Sequence, residues 1–338
     1  MKQWLSGALL ATILTVGTST ASAWDGVGHE QVNDLAWALL KKESKQKIAL
    51  ALLQGDPLYR PEKPYNIITD TYLETQVRPM FRKAAVWADD IKGKPSGQYE
   101  DWINRYNQAS PGVKPPADVF QRGTEETRMK TWHYVDFPVF FAGSGEPTPP
   151  RESNALYGLN IVTQKLKSSL GGERQNHQEA AFWIYWATHI IGDLHQPLHC
   201  TEHFGPAFLP GGDDGGNQFM IKVDDSDREF RLHGWWDDGI EKAIKADGLT
   251  STLAVTNSWL NRADLKPSES DVANLDWKSI AESYAQVSVQ EVYRGLTLKG
   301  KIPADYTRRT ADLSRKQAVL AGHRLARFLN NILAPNEN

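Results

Sequence analysis

Apolar positions recur at helical spacing along most of this chain. Val32, Leu35, Ala36, Leu39 and Leu40 make one stripe, and His29 lies on the same face as Val32 and Ala36. Pro79 suits a first helical turn, where its missing N–H costs nothing, and Phe81, Ala84, Ala85 and Ala88 carry that helix to about Ile91, with Asp89 near its end. Two further helices are predicted over residues 155–170 and 177–194. The second carries Phe182, Trp183, Trp186 and Ile190 and is apolar enough to be largely buried. Another helix opens near Leu232 and runs to about Ala246, and two long ones, residues 273–298 and 310–333, finish the chain.

Between these helices the pattern changes. Trp132-His133-Tyr134-Val135-Asp136 alternates like a short extended segment before Pro138. Residues 218–223 and 229–232 read as a small β-hairpin. Residues 92–129 form a long polar connection with Pro95, Pro111, Pro115 and Pro116, and residues 200–228 are rich in Gly, Pro and Asp. Both read as surface excursions. The expected fold is all-α, a single mainly helical domain with one hairpin.

The first residues change the boundaries of that domain. Lys2, the apolar run Leu5 to Val16 and the small-residue triplet Ala21-Ser22-Ala23 read as a secretory signal peptide cleaved after Ala23. Residues 1–23 are thus expected to leave, and residues 24–338 to form the mature domain, periplasmic or secreted, starting at Trp24. The run is too short to span a bilayer, so no stable membrane association is expected, nor an obligate protein partner. Cys200 is the sole cysteine, which excludes an internal disulfide and a thiolate-rich zinc site. The formal net charge of −3 and the lack of a Lys/Arg run leave no basic nucleic-acid footprint. If the protein handles phosphates, metal ions must supply most of the positive field.

The nine histidines supply the candidate chemistry. His189 and Asp193 are one helical turn apart, and His233 and Asp237 repeat that spacing on another helix. His199 follows the first pair just beyond Pro197, which cannot continue the helix. Asp89 and His133 lie within apolar segments, where a polar group needs a partner inside the fold. Structural ion pairs would explain one such spacing, but two pairs with buried single residues strain that account. Ligation by nitrogen and oxygen alone suits zinc, and such sites are more often catalytic than structural.

The chain resembles the zinc-dependent S1/P1 nuclease family, whose fold is related to bacterial zinc phospholipase C. The resemblance rests on Trp24, His29, Trp87-Ala-Asp89, His133-Tyr-Val-Asp136, the run His189-Ile-Ile-Gly-Asp-Leu-His-Gln-Pro-Leu-His199, Gly215-Gly-Asn217, Leu232-His-Gly-Trp-Trp-Asp237 and Ala321-Gly-His-Arg-Leu-Ala326. It implies three zinc ions. Asp89, His133, His189 and Asp193 would hold one; the Trp24 amine and carbonyl, His29 and the shared Asp193 a second; His199, His233 and Asp237 the third. An α-amine has a pKa near ~8, low enough to yield its proton to a metal at neutral pH.

The resemblance further implies metal-assisted hydrolysis of single-stranded DNA and RNA to 5′-phosphorylated products, with 3′-nucleotidase activity. A water between the close zinc pair would attack phosphorus, and the third zinc would stabilise the departing 3′ oxygen. Asp89 would also orient the nucleophile, and Lys92 would clamp phosphate oxygens, its alternative being a solvated surface lysine. Tyr134 and Asp136 match the family's base-binding pair, with Asn217 covering the opposite wall; the plainer reading is a core aromatic and a capping aspartate. The alternatives are a zinc phospholipase C and a non-enzymatic periplasmic zinc-binding protein. His195 is expected to hydrogen-bond at the helix end rather than bind metal, and His177, His203 and His323 default to surface or core roles. This chain lacks the fungal disulfides, and its connections at 92–129 and 200–228 are longer, so both can rim the cleft.

Overall fold

The computed structural model describes residues 24–55, 68–92, 129–140, 148–170, 176–209 and 211–335. Residues 1–23, expected to be a signal peptide, and most of the 92–129 connection lie outside them. The fold is all-α, with two small two-stranded sheets.

Helix α1 (Gly26–Leu39) starts where the Asp25 carboxylate accepts the Gly28 N–H at 2.7 Å, satisfying an otherwise orphaned donor. Helix α2 (Lys42–Gly55) follows, a helix missing from the sequence reading because its stripe is short and flanked by lysines. The stretch expected as one helix over 79–91 is two, α3 (Arg78–Ala84) and α4 (Trp87–Lys92), separated by a turn at Ala85 and Val86. That turn frees the Ala85 carbonyl, which the site uses.

Helices α5 (Ala155–Leu170) and α6 (His177–Asp193) pack side by side, and α6 also packs against α2 and α1. Phe182, Trp183, Ile184, Trp186, Ala187, Ile190 and Ile191 are all buried along it, as are Thr188, His189 and Asp193. A helix buried on every side must satisfy its polar side chains inside the fold. Gly192 is required here, since a Cβ would stand 2.9 Å from His29 Nδ1 and push α1 away. No helix among the described residues is long and apolar enough to cross a membrane.

The predicted extended segment at 132–136 is instead a 3₁₀ turn, Lys130–His133, and the strand begins one step later as β1 (Phe137–Phe140). Alternation misled because His133 and Val135 are buried through the turn rather than through a sheet. Strand β1 pairs in parallel with β2 (Thr201–Phe204), which lies inside the stretch read as loop, with Phe137 opposite Thr201. In a two-stranded pair each strand has an open edge, so Pro138 is tolerated. The expected hairpin is present but shorter, β3 (Met220–Lys222) against β4 (Glu229–Arg231).

The helix expected over 232–246 breaks at Asp238 into α7 (Leu232–Asp237) and α8 (Gly239–Ala246). Gly239 permits the break and the close approach behind it, where a Cβ would stand 2.2 Å from Ser314 Oγ. Helix α9 (Thr252–Leu260), also absent from the sequence reading, precedes α10 (Trp277–Val287), which ends in a wide turn, Ser288–Val292, well before residue 298. The chain closes with α11 (Tyr306–Leu333), which packs along α1 and α8.

The buried apolar residues fall into two groups. A large core gathers around α6, α1 and α11. A smaller one, including Leu198, Phe208, Phe219, Ile221, Leu232, Trp236, Tyr293 and Tyr306, lies under the hairpin and α7.

Candidate metal centre

Eight side chains from residues 29 to 237 converge where the two cores meet. These eight supply three groups of donor atoms, the atoms within each group lying within 4.8 Å of one another: His29, His189 and Asp193; Asp89, His133 and His189; and His199, His233 and Asp237. The first two share His189 and merge around one carboxylate. Asp193 Oδ1 lies 3.1 Å from His29 Nε2, while its Oδ2 lies 3.0 Å from His189 Nε2 and 3.4 Å from His133 Nδ1. Asp89 closes the set, with Oδ1 3.5 Å from His133 Nδ1 and Oδ2 3.8 Å from His29 Nε2. In the remaining group His233 Nε2 is 3.0 Å from His199 Nε2 and 3.6 Å from Asp237 Oδ1. The two parts adjoin, because His199 Nδ1 lies 4.0 Å from Asp193 Oδ2.

Backbone carbonyls set three of the imidazoles. A carbonyl can only accept, so His189 Nδ1 donates to Ala85 at 2.6 Å, His199 Nδ1 to His133 at 2.6 Å and His233 Nδ1 to Gly215 at 2.7 Å. Each then presents Nε2 to the cluster, the arrangement that orients metal-binding histidines. The turn after α3 supplies the first carbonyl, and the Gly215-Gly216 turn supplies the third.

The donor set fits a cation. His29 Nδ1 and Nε2 and both Asp193 oxygens are buried without a well-aligned hydrogen bond, although their neighbours lie within ion-pair distance. Burial alone would lower the His189 imidazole, but the Asp193 and Asp89 carboxylates outweigh it and push it up to about 8. Burial likewise acts to raise Asp193, yet His189 first, and then the close His133 and His29 imidazoles, hold it well below the usual carboxylate range. The same carboxylate charge would draw a metal cation, and binding one to these imidazoles would release any proton they carry.

Trp24 is fully buried beside the cluster, and its indole N–H donates to the Gly192 carbonyl at 3.0 Å. The next residue's N–H donates to the Asp237 carbonyl at 3.1 Å, so this short segment spans from one group to the other. Lys92 ends α4, three residues past Asp89, and its side chain lies outside the described residues.

Tyr134 and Asp136 continue directly from His133 and are half-buried. Val135 N–H donates to the His199 carbonyl at 2.7 Å, and Tyr134 O accepts from Ala155 N–H at 2.9 Å, fixing the segment on two sides. Residues that sequence reasoning missed surround them. Burial, then Asp214, push Asp136 up to about 7 against the opposing charge of Arg151. Burial and Asp136 push Glu202 up to about 8, although Asp214 N–H donates to it at 2.7 Å. The Tyr134 phenol, buried near the same acids and Arg151, is pushed up to about 12. No spacing rule connects Asp136, Glu202 and Asp214; β1–β2 pairing and the 211–217 loop bring them together.

Asn217 follows the glycine pair, its amide donates to the Asp214 carbonyl at 2.8 Å, and its Oδ1 is buried without a partner. His195 stays out of the cluster: Nδ1 donates to the Ile191 carbonyl at 2.7 Å and Nε2 accepts from Arg324 at 3.1 Å. His203 sits in the smaller core, its ring against Tyr293 and Phe208.

Known proteins share this chain's pattern. The family model described as S1/P1 Nuclease matches residues 24–334. Endonuclease 4 of Arabidopsis thaliana is 27% identical over 224 residues, covering 60% of this chain and 70% of that protein. Endonuclease 2 of the same plant is 25% identical, over 53% of this chain and 61% of its own length. Nuclease S1 of Aspergillus oryzae is 22% identical, over 64% of this chain and 76% of its own.

Proposed function

The chain belongs to the S1/P1 nuclease family, and we propose that it hydrolyses phosphodiester bonds of single-stranded DNA and RNA to 5′-phosphorylated products, with 3′-nucleotidase activity. The observation that carries this reading is the convergence of His29, Asp89, His133, His189, Asp193, His199, His233 and Asp237 from segments far apart in sequence, with His29 and Asp193 lacking aligned protein partners.

Three zinc ions suit these donors: one at Asp89, His133, His189 and Asp193, one at His29, Asp193 and the Trp24 terminus, one at His199, His233 and Asp237. Bound there, they supply Lewis acidity and an acidified water. The chain's own groups do the rest. Fixed imidazoles and Asp193 pre-set the ligand positions, so little reorganisation accompanies binding. Asp89 orients the attacking water, and Lys92 steadies the phosphate oxygens.

Tyr134 offers a ring face for an unpaired base and Asp136 a hydrogen-bonding edge, with Asn217 on the opposite wall. A duplex hides ring faces, so stacking of this kind favours single strands. Export with cleavage after Ala23 completes the reading, and it agrees with the family match beginning at Trp24. Amide formation with Ala23 would delocalise the Trp24 nitrogen lone pair and spoil it as a ligand.

The test is one activity panel on the zinc-loaded, processed protein: single-stranded DNA, the same strand as duplex, RNA, 3′-AMP and phosphatidylcholine vesicles, with product ends mapped. Faster cleavage of single strands, 5′-phosphate ends and release of phosphate from 3′-AMP are expected. Hydrolysis confined to phosphatidylcholine would move the protein to lipid phosphodiesters, and zinc uptake with no hydrolysis would make it a binding protein.

A further inference from the structure

Gln196 is fully buried at the junction of the two metal-ligand groups, and both ends of its amide are used. Its Nε2 donates to Asp237 Oδ1 at 2.8 Å, the oxygen that faces His233 Nε2 at 3.6 Å and His199 Nε2 at 4.0 Å. Its Oε1 accepts from Leu198 N–H at 2.6 Å, capping the 3₁₀ turn Pro197–Cys200 that carries His199. Its backbone joins the same network: Gln196 N–H donates to the Asp193 carbonyl at 2.9 Å, and the Gln196 carbonyl accepts from His199 N–H at 3.0 Å.

One residue thus touches the carboxylate ligand on α7, the turn bearing an imidazole ligand, and the end of α6 that carries the shared carboxylate. The chemistry of the position calls for a neutral amide. Two opposed jobs, donating to a carboxylate and accepting from a backbone N–H, need a donor and an acceptor on one rigid group. A lysine or arginine would neutralise Asp237 and compete with the cation. A glutamate would set a second carboxylate against it.

We infer that Gln196 is a positioning residue for the metal site formed by His199, His233 and Asp237, holding Asp237 Oδ1 in place while capping the turn that presents His199. This rests on the metal reading proposed above. Partners that orient ligands are commonly worth ten- to a hundredfold in metal affinity.

The experiment compares wild type, Gln196→Met, Gln196→Glu and His233→Ala as processed full chains. Each is loaded with zinc and titrated with a chelator while bound metal is counted by mass spectrometry. Gln196→Met removes both hydrogen bonds without adding charge. Gln196→Glu keeps the acceptor for Leu198 N–H and removes the donor to Asp237. His233→Ala shows the signature of losing that site outright.

Both Gln196 variants should release one zinc equivalent at a ten- to hundredfold lower chelator concentration, while the other equivalents follow wild type. Loosening of one equivalent alone separates this from a general structural defect, which would loosen every metal alike. Release curves matching wild type in both variants would overturn the inference. A defect in Gln196→Met with normal retention in Gln196→Glu would assign the effect to the cap and overturn the role toward Asp237. Equal zinc content in wild type and His233→Ala would instead bring down the third site itself, and this inference with it.

Discussion

The two groups of candidate metal donors use the same residue types on different foundations. Asp89, His133 and Asp193 are chain neighbours of Ala88, Trp132 and Leu194 in the large core. His199, His233 and Asp237 directly follow Leu198, Leu232 and Trp236 of the smaller one. In the first group three imidazoles crowd one carboxylate: the His29 and His189 rings stack at 4.3 Å, and those of His133 and His189 meet at 4.5 Å. His29 and Asp193 have no aligned partner there. In the second group each side chain is tied to the protein itself: His199 to the His133 carbonyl, His233 to Gly215, Asp237 to Gln196. An unsatisfied buried polar group costs about 1–3 kcal/mol. A cation at the first group would therefore act as a folding partner, whereas the second group is held in place by the protein itself.

The comparison breaks most visibly at Asp193. Asp193→Asn should lower the nuclease rate by at least roughly a thousandfold, since Lewis-acid stabilisation is worth several kcal/mol and each ~1.4 kcal/mol is a factor of ten. Zinc content should fall by more than one equivalent, because this carboxylate is proposed to serve two sites. A rate within tenfold of wild type would remove Asp193 from its central position.

Next in size is the terminus. A form keeping Ala23 before Trp24 should lose one zinc and at least tenfold in rate relative to the processed form, after equal zinc loading. Equal zinc and equal rate would take the Trp24 amine out of the site while leaving its indole bond to Gly192 intact.

Metal removal weighs the two groups directly. Zinc at a hundredfold over its dissociation constant adds about 2.7 kcal/mol per site that binds only the folded state. Chelation should lower the melting temperature of His233→Ala about two-thirds as far as that of wild type, because two of the three proposed sites lie in the first group. A chelation shift absent from His233→Ala would reverse the comparison.

Tyr134→Ala should weaken nucleotide binding by about 1–3 kcal/mol, the worth of one stacked base, with zinc content unchanged. Titration of a 5′-nucleotide by calorimetry measures it.

The smallest effect is on pH dependence. Burial and neighbouring carboxylates push Asp136 up to about 7 and Glu202 up to about 8. The folded, metal-free chain thus holds protons that the unfolded chain releases near pH ~4. Stability should fall as pH rises from about 4 toward 8, and Asp136→Asn should flatten that slope. Urea midpoints at pH 5 and pH 8 on metal-stripped protein decide it, and an unchanged slope would sink the assignment.

Much of this was legible along the chain because it is written locally. The helical stripe of α1, the all-round apolar surface of α6 and the one-turn spacings of His189 with Asp193 and His233 with Asp237 depend only on residues a few positions apart. These local signals named candidate donors, the family resemblance supplied their grouping around zinc, and the structure brings the side chains of all but Trp24 together as donor groups. The short segments were less so. The 3₁₀ turn at His133 imitated a strand because burial alternated for another reason. Strand β2 was hidden because its partner, β1, lies more than sixty residues earlier and only their pairing defines it.

What the sequence determined by itself is most of the helical stretches and the supply of metal-suited side chains, since periodicity and spacing are local properties. What only the tertiary structure decided is which atoms share space. Asp193 serves His29 on one oxygen and His189 and His133 on the other, Asp136 finds Glu202 and Asp214 beside it, and Gln196 reaches an aspartate 41 residues away. Those contacts follow from how α1, α6 and α7 pack against two cores, and no pattern of neighbours along the chain encodes such a packing.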